Sequence, residues 1–138
     1  MKKNLIYRLV TIFLILLLLG ACSSEKGQPS KVVKAYYNYL LNKRYEKAYG
    51  LILPENPPKI TREDYLKELK ELEKTFELKE VKLKGEQIKG DQAEVTLEIT
   101  ELNKERGLVV TSQAKVSLKK DKGKWYLLWP RKGSQKKK

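Results

Sequence analysis

Along the chain, apolar side chains first recur every three or four residues and later every second residue, and this change of period divides the sequence into two kinds of element. Val33, Tyr36, Tyr37, Leu40 and Leu41 mark one face of a helix that Ser30 is placed to cap. Asn42 offers a cap for a second helix, on which Tyr45, Ala48, Tyr49, Ile52 and Leu53 repeat the spacing. Pro54, Pro57 and Pro58 then forbid continuation, because proline lacks the amide donor a helix needs. Thr61-Arg62-Glu63-Asp64 opens a third helix, since the threonine side chain can accept from the backbone and the acid three residues on can reach back. Its predicted buried stripe is Tyr65, Leu66, Leu69, Leu72 and Phe76. After Leu78 the period falls to two. Val81 and Leu83 alternate with Lys82 and Lys84, and Ala93, Val95, Leu97 and Ile99 alternate with Glu94, Thr96 and Glu98, the pattern of strands with one wet face. Lys89-Gly90-Asp91 is the turn between them. A third strand over residues 108–119 turns Ala114, Val116 and Leu118 inward, and a fourth, residues 125–129, follows Asp121-Lys122-Gly123. The predicted fold class is α+β: three N-terminal helices packed on a curved, four-stranded antiparallel sheet, as one domain over residues 31–130.

The N-terminal residues follow a different logic. Lys2, Lys3 and Arg8 precede an apolar run, residues 9–21, interrupted only by Thr11. As a helix this run spans about 20 Å, short of the roughly 20 residues that cross a bilayer. It reads as the charged and apolar regions of a signal peptide, residues 1–21. It ends in Leu19-Gly20-Ala21-Cys22, which resembles the lipobox of bacterial lipoproteins: cleavage falls between Ala21 and Cys22, and the Cys22 thiol takes the lipid. An ordinary secretory signal or an uncleaved anchor is the alternative. Residues 22–30 are polar, with Gly27 and Pro29, and form a tether whose eight flexible links span about 16 Å. The expected location is therefore the extracytoplasmic face of the cell membrane, lipid-anchored, with the domain close to the headgroups.

Composition sharpens this picture. Cys22 is the one cysteine, so the remaining chain has no disulfide to form. The sequence carries a formal net charge of +13, and the excess is concentrated after residue 78. Lys115, Lys119, Lys120, Lys122 and Lys124 are the candidate basic surface, and residues 131–138 are a basic tail too polar to pack. Export argues against nucleic acid as the partner. Anionic lipid headgroups or a wall polymer of the teichoic-acid kind would feel the same field, each lysine near a membrane contributing about 1 kcal/mol.

Residues 30–130 also carry blocks that resemble a known fold family. These are Val33-Lys34-Ala35-Tyr36-Tyr37, Tyr45-Glu46-Lys47-Ala48-Tyr49, Ile60-Thr61-Arg62-Glu63-Asp64-Tyr65 and the closing Gly123-Lys124-Trp125-Tyr126-Leu127-Leu128-Trp129-Pro130. They resemble the cone-shaped nuclear transport factor 2-like fold, and within it the non-catalytic N-terminal domain of class B penicillin-binding proteins of the methicillin-resistance type. That resemblance implies an accessory module without catalysis, tied to cell-wall synthesis or the response to β-lactam antibiotics, with wall-synthesis proteins as partners. The transpeptidase half of those proteins has no counterpart in these 138 residues.

Candidate chemistry is sparse. Ser112-Gln113-Ala114-Lys115 fits the serine-x-x-lysine motif of penicillin-recognising enzymes, but an odd offset in a strand turns Ser112 and Lys115 to opposite faces. Neither Ser-Asp-Asn nor Lys-Thr-Gly accompanies it, and the chain has no histidine. Glu63, Asp64, Glu68, Glu71 and Glu73 crowd the third helix among Lys67, Lys70 and Lys74, which reads as a solvated, ion-paired face. Enzymes of the resembled fold often place an acid inside the cone, whereas the inward strand positions read here, residues 93, 95, 97, 99, 114, 116 and 118, are all apolar. Tyr36, Tyr37, Tyr39, Tyr45 and Tyr49 with Trp125 and Trp129 line either a ligand pocket or a core, with Tyr36, Tyr37, Tyr49, Trp125 and Trp129 the leading candidates. The expectation is no catalysis, no metal and no cofactor. Three roles remain: interaction module, small-ligand binder through the cone pocket, or electrostatic binder of anionic lipid or wall polymer.

Overall fold

The computed structural model describes residues 28–53 and 60–129. The leader, Cys22, most of the tether, the Pro54 to Pro58 stretch and the basic tail lie outside the described residues.

Helix α1, Pro29–Leu41, starts at a proline, whose fixed φ and missing N–H suit the first helical turn. Gln28 is its cap residue, so Ser30 does not cap it; the Ser30 N–H instead donates to the Glu86 carboxylate at 2.7 Å. Asn42 closes this helix and does not open the next. Its backbone and side-chain amides both donate to the Asn38 carbonyl, and Lys43 then takes a left-handed φ of 55°. Helix α2 is only Tyr45–Tyr49. Ile52 and Leu53, expected to extend it, are drawn off into sheet pairing: Leu53 N–H donates to the Leu127 carbonyl and Leu127 N–H to the Leu51 carbonyl, each at 2.9 Å.

Helix α3, Arg62–Thr75, starts as the sequence predicts, with the Thr61 hydroxyl oxygen accepting from the Asp64 N–H at 3.1 Å. Tyr65 and Leu69 are buried, but Leu72 is exposed. Phe76 belongs to the strand that follows without a break, because its backbone is already extended at φ −126° and ψ 147°.

The strands are β1, Phe76–Lys89; β2, Gln92–Asn103; β3, Leu108–Asp121; and β4, Lys124–Leu127. They form one antiparallel sheet in the order β1-β2-β3-β4, as predicted. The turns that join them use left-handed residues, Gly90 and Gly107 among them, where a Cβ would be strained. β1 carries two register shifts, at Leu78/Glu80 and Leu83/Gly85, which bend and twist an edge strand. β4 stops at Leu127, short of the predicted Trp129.

The helices cover one face of the sheet. Val33, Tyr36, Ala48, Tyr65 and Leu69 meet Ala93, Val95, Leu97, Ile99, Leu118, Trp125 and Leu127, and among the described residues no polar or charged residue is fully buried apart from the tyrosine hydroxyls. Fully burying a Val- or Leu-sized side chain contributes about 1.5–3 kcal/mol, so this cluster is the main source of stability. The opposite face is wet. Glu94 pairs with Lys115 at 2.9 Å and Glu98 with Lys84 at 3.4 Å, while Thr100 and Thr111 share a 3.0 Å hydrogen bond. Exposed ion pairs of this kind contribute about 0–1 kcal/mol each, and serve solubility more than stability.

Candidate functional site

The predicted aromatic set divides between the interior and an open groove. Tyr36 is on the buried face of α1, where its hydroxyl accepts from Tyr65 at 3.2 Å, and burial pushes its pKa far above the ordinary tyrosine value. Tyr65 packs against the Tyr49 ring at 5.3 Å and the Trp129 ring at 5.1 Å. Tyr49 directs its hydroxyl to the Ile60 carbonyl at 3.0 Å, and Trp125 is buried beneath the Lys120 ammonium at 5.7 Å. Tyr36, Tyr49, Trp125 and Trp129 therefore serve as filling, each with its polar end occupied or at the surface.

Tyr37 differs. It leans out from α1, edge-on to Tyr36 with ring centroids 5.3 Å apart, and lines two adjoining open cavities. One, about 610 Å³, lies between α1 and β1 over Val81 and Leu83. The other, about 510 Å³, lies where the C-terminal ends of α1 and α3 diverge over the starts of β1 and the end of β2. Its floor is Leu40, Leu69, Leu72, Phe76 and Leu78, and its rim is Lys43, Tyr45, Glu73, Glu101 and Lys104.

The rim is cross-linked. Tyr45 donates to the Glu73 carboxylate, Lys43 sits 3.7 Å from that carboxylate, and Lys104 Nζ donates to the Glu73 carbonyl at 2.6 Å. Glu73 is thus ion-paired off its own helix, whereas Glu71 pairs along α3, with Lys74 at 2.7 Å. The Lys74 hydrogen bond holds the Glu71 carboxyl below its usual range. Burial, and then the nearby Glu101 carboxylate, push Tyr37 up to about 12. At neutral pH Tyr37 is therefore a protonated donor and not a base. An apolar floor with convergent donors and acceptors at its edge suits an amphipathic ligand or a partner's side chains.

Sequence reasoning named Tyr37 and Tyr45 as candidate pocket residues but missed Lys43, Glu73, Glu101 and Lys104 beside them. Glu101 was within reach: two residues past Ile99 on the same face of β2, it pairs with Val110 and faces the helix side, so the inward row is apolar only as far as residue 99. Lys43 lies in the α1–α2 turn, Glu73 on α3 and Lys104 in the β2–β3 turn, and only packing brings them together.

The basic candidates do not share one face. Lys115 and Lys119 lie on the outer face of β3, with Lys115 held by Glu94. Lys120 turns to the Trp125 side, Lys122 sits in the β3–β4 turn at φ 47°, and Lys124 pairs opposite Asp121. The serine-x-x-lysine residues are apart as expected, Ser112 on the face of Ile99 and Lys115 on that of Thr96. No described helix is long and apolar enough to cross a membrane.

No protein-family model matches this sequence, and no curated protein does. Solved structures do. A SEC-C motif-containing protein from Rhodopseudomonas palustris matches with a TM-score of 0.61 at 15% identity, covering 73% of this chain and 75% of that one. A structure described as an NTF2-like transpeptidase from Campylobacter jejuni matches with a TM-score of 0.50 at 13% identity, covering 75% of this chain and 100% of that one. One described as a SnoaL-like polyketide cyclase from Mesorhizobium loti has a TM-score of 0.48 at 15% identity, over 73% and 97%. At such identities the likeness is one of fold: the chain has the cone-like, nuclear transport factor 2-like architecture that its sequence blocks resemble.

Proposed function

We propose that this chain is a lipid-anchored, non-catalytic interaction module of the cell envelope, which docks a partner of the wall-synthesis machinery in the groove beside Tyr37. The observation that carries this reading is the packing of the cone. Tyr36, Tyr65 and Trp129 occupy its depth, so binding is left to an open, apolar-floored groove at the surface. A deep, enclosed pocket around an acid would have favoured a small substrate and catalysis. Support for the anchor is the sequence pattern at Leu19-Gly20-Ala21-Cys22 and the short stretch between Cys22 and the start of α1 at Pro29. That stretch holds the domain near the headgroups, where envelope enzymes emerge from the membrane.

Mild crosslinking in cells, followed by purification of the chain, is expected to enrich wall-synthesis enzymes, and Leu72→Asp in the groove floor to lose them. Enrichment of none, or capture of the same set by the variant, defeats the reading. The anchor has its own test: labelled palmitate should enter the wild type and not Cys22→Ser.

A further inference from the structure

β4 pairs with only the last four residues of β3, Leu118 to Asp121, and among the described residues nothing pairs with β3 on that side over residues 108–116. The register explains why. The last bond in this register lies one residue past β4, where the Leu128 N–H donates to the Ser117 carbonyl at 2.9 Å. Carried on two residues, this register would call for a hydrogen-bonded pair between Lys115 and position 130, and the sequence has a proline there, which has no N–H to give.

The free edge that results is unlike the other edge of the sheet. β1 protects itself with two register shifts and with Glu77, Lys79, Glu80, Lys82, Lys84, Glu86 and Lys89. Over residues 108–116, β3 reads Leu-Val-Val-Thr-Ser-Gln-Ala-Lys-Val, regular in register, with one charge and no proline. Leu108, Val109 and Val110 are each more than half exposed. Because Ser117 directs its carbonyl to β4 and residues alternate along a strand, the N–H and C=O groups of Val109, Thr111, Gln113 and Lys115 all point outward from this edge.

We propose that this edge is a homodimer interface, on which a second copy of the chain pairs β3 to β3, antiparallel, about a two-fold axis at Ser112. That register sets Thr111 opposite Gln113 and Val109 opposite Lys115, so each outward N–H on one copy meets an outward C=O on the other. On the helix side it sets Val110 against Ala114 and Leu108 against Val116, covering the exposed apolar side chains. The single charge, Lys115, meets Val109 and never its own copy, so no like charges oppose each other. Such self-complementarity is what an isologous interface requires. β1 could not meet a copy of itself without stacking charges across two irregular edges. The basic tail of the same chain is a poorer occupant by composition, since Pro130 offers no N–H and four of its last seven residues are lysines.

The test is thiol crosslinking of the full chain with Cys22→Ser, so that an introduced cysteine is the sole thiol. Ser112→Cys puts two sulfurs across a pair with Cα atoms about 4.5 Å apart, within disulfide range, and is expected to give a covalent dimer on mild oxidation. Thr96→Cys on the outer face and Lys82→Cys on β1 are expected to stay monomeric; a dimer through either in place of Ser112 overturns the proposal. Gln113→Pro removes an outward N–H that the chain's own sheet does not use, and is expected to cut crosslinking about tenfold or more. Val109→Lys, which sets two lysines opposite each other without touching the backbone, should do the same. A chain ending at Pro130 is expected to crosslink as the full chain does; a rise would make the tail the occupant and overturn the dimer. So would sedimentation of the unmodified chain as a monomer at every concentration.

Discussion

The sheet has a four-stranded end and a three-stranded end, and the two are built to different standards. At the four-stranded end, Leu118, Trp125 and Leu127 are buried under α1, and residues 51–53 cover the outer edge of β4. At the other, β4 is absent and α1 and α3 diverge, with Leu41, Leu72, Phe76, Leu108, Val109 and Val110 exposed in part. Apolar residues are not scarcer there; they lack something to pack against. Stability is concentrated at one end, and most of the unused apolar surface, Leu83 and Ile88 of β1 excepted, at the end where both the groove and the free edge lie. The difference suggests a division of labour in which one end holds the fold and the other is left available for contacts.

Breaking the closed side of this comparison is expected to have the largest effect. Tyr65→Ala empties the junction of Tyr36, Tyr49 and Trp129 and should cost about 3–5 kcal/mol, read as a fall in the urea midpoint. High pH attacks Tyr65 within this cluster and Tyr37 beside the groove. Tyr37 and Tyr65 are each raised from 10.0 to about 12 in the folded state, so the fold binds their protons more tightly than the unfolded chain does. Their contribution is complete below pH 10 and is lost as the pH rises towards 12, so stability should hold and then fall across that window, with tyrosinate absorbance lagging that of a denatured control. A chain whose tyrosines all titrate near 10 would show that the interior is not closed.

Pro130→Thr tests where the two ends divide. With an N–H restored at position 130, β4 is expected to run on along β3, slowing hydrogen exchange at the Lys115 amide and lowering the crosslinking through Ser112→Cys. Unchanged exchange would mean that something other than proline stops the strand. The smallest effect is expected at the open end itself. Leu72 is 54% exposed, so Leu72→Ala should move stability by no more than about 0.5 kcal/mol, measured by the same urea titration. A loss comparable with that of Tyr65→Ala would mean the groove is core after all.

The sequence alone determined the order and kind of the elements, because helical and strand periods are local properties of the chain. Thr61 as the cap of α3, the alternation of β2 and the meander order are all written in residues a few positions apart. Tertiary structure decided the rest. Ile52 left the second helix because Leu127 offered hydrogen bonds, and Asn42 closed α1 because Lys43 turned left-handed beneath it. Which tyrosines fill the cone, and which one faces a groove, depended on neighbours up to 93 positions away, as between Tyr36 and Trp129 through Tyr65. A period tells which side of an element is apolar. Only packing tells whether anything covers it.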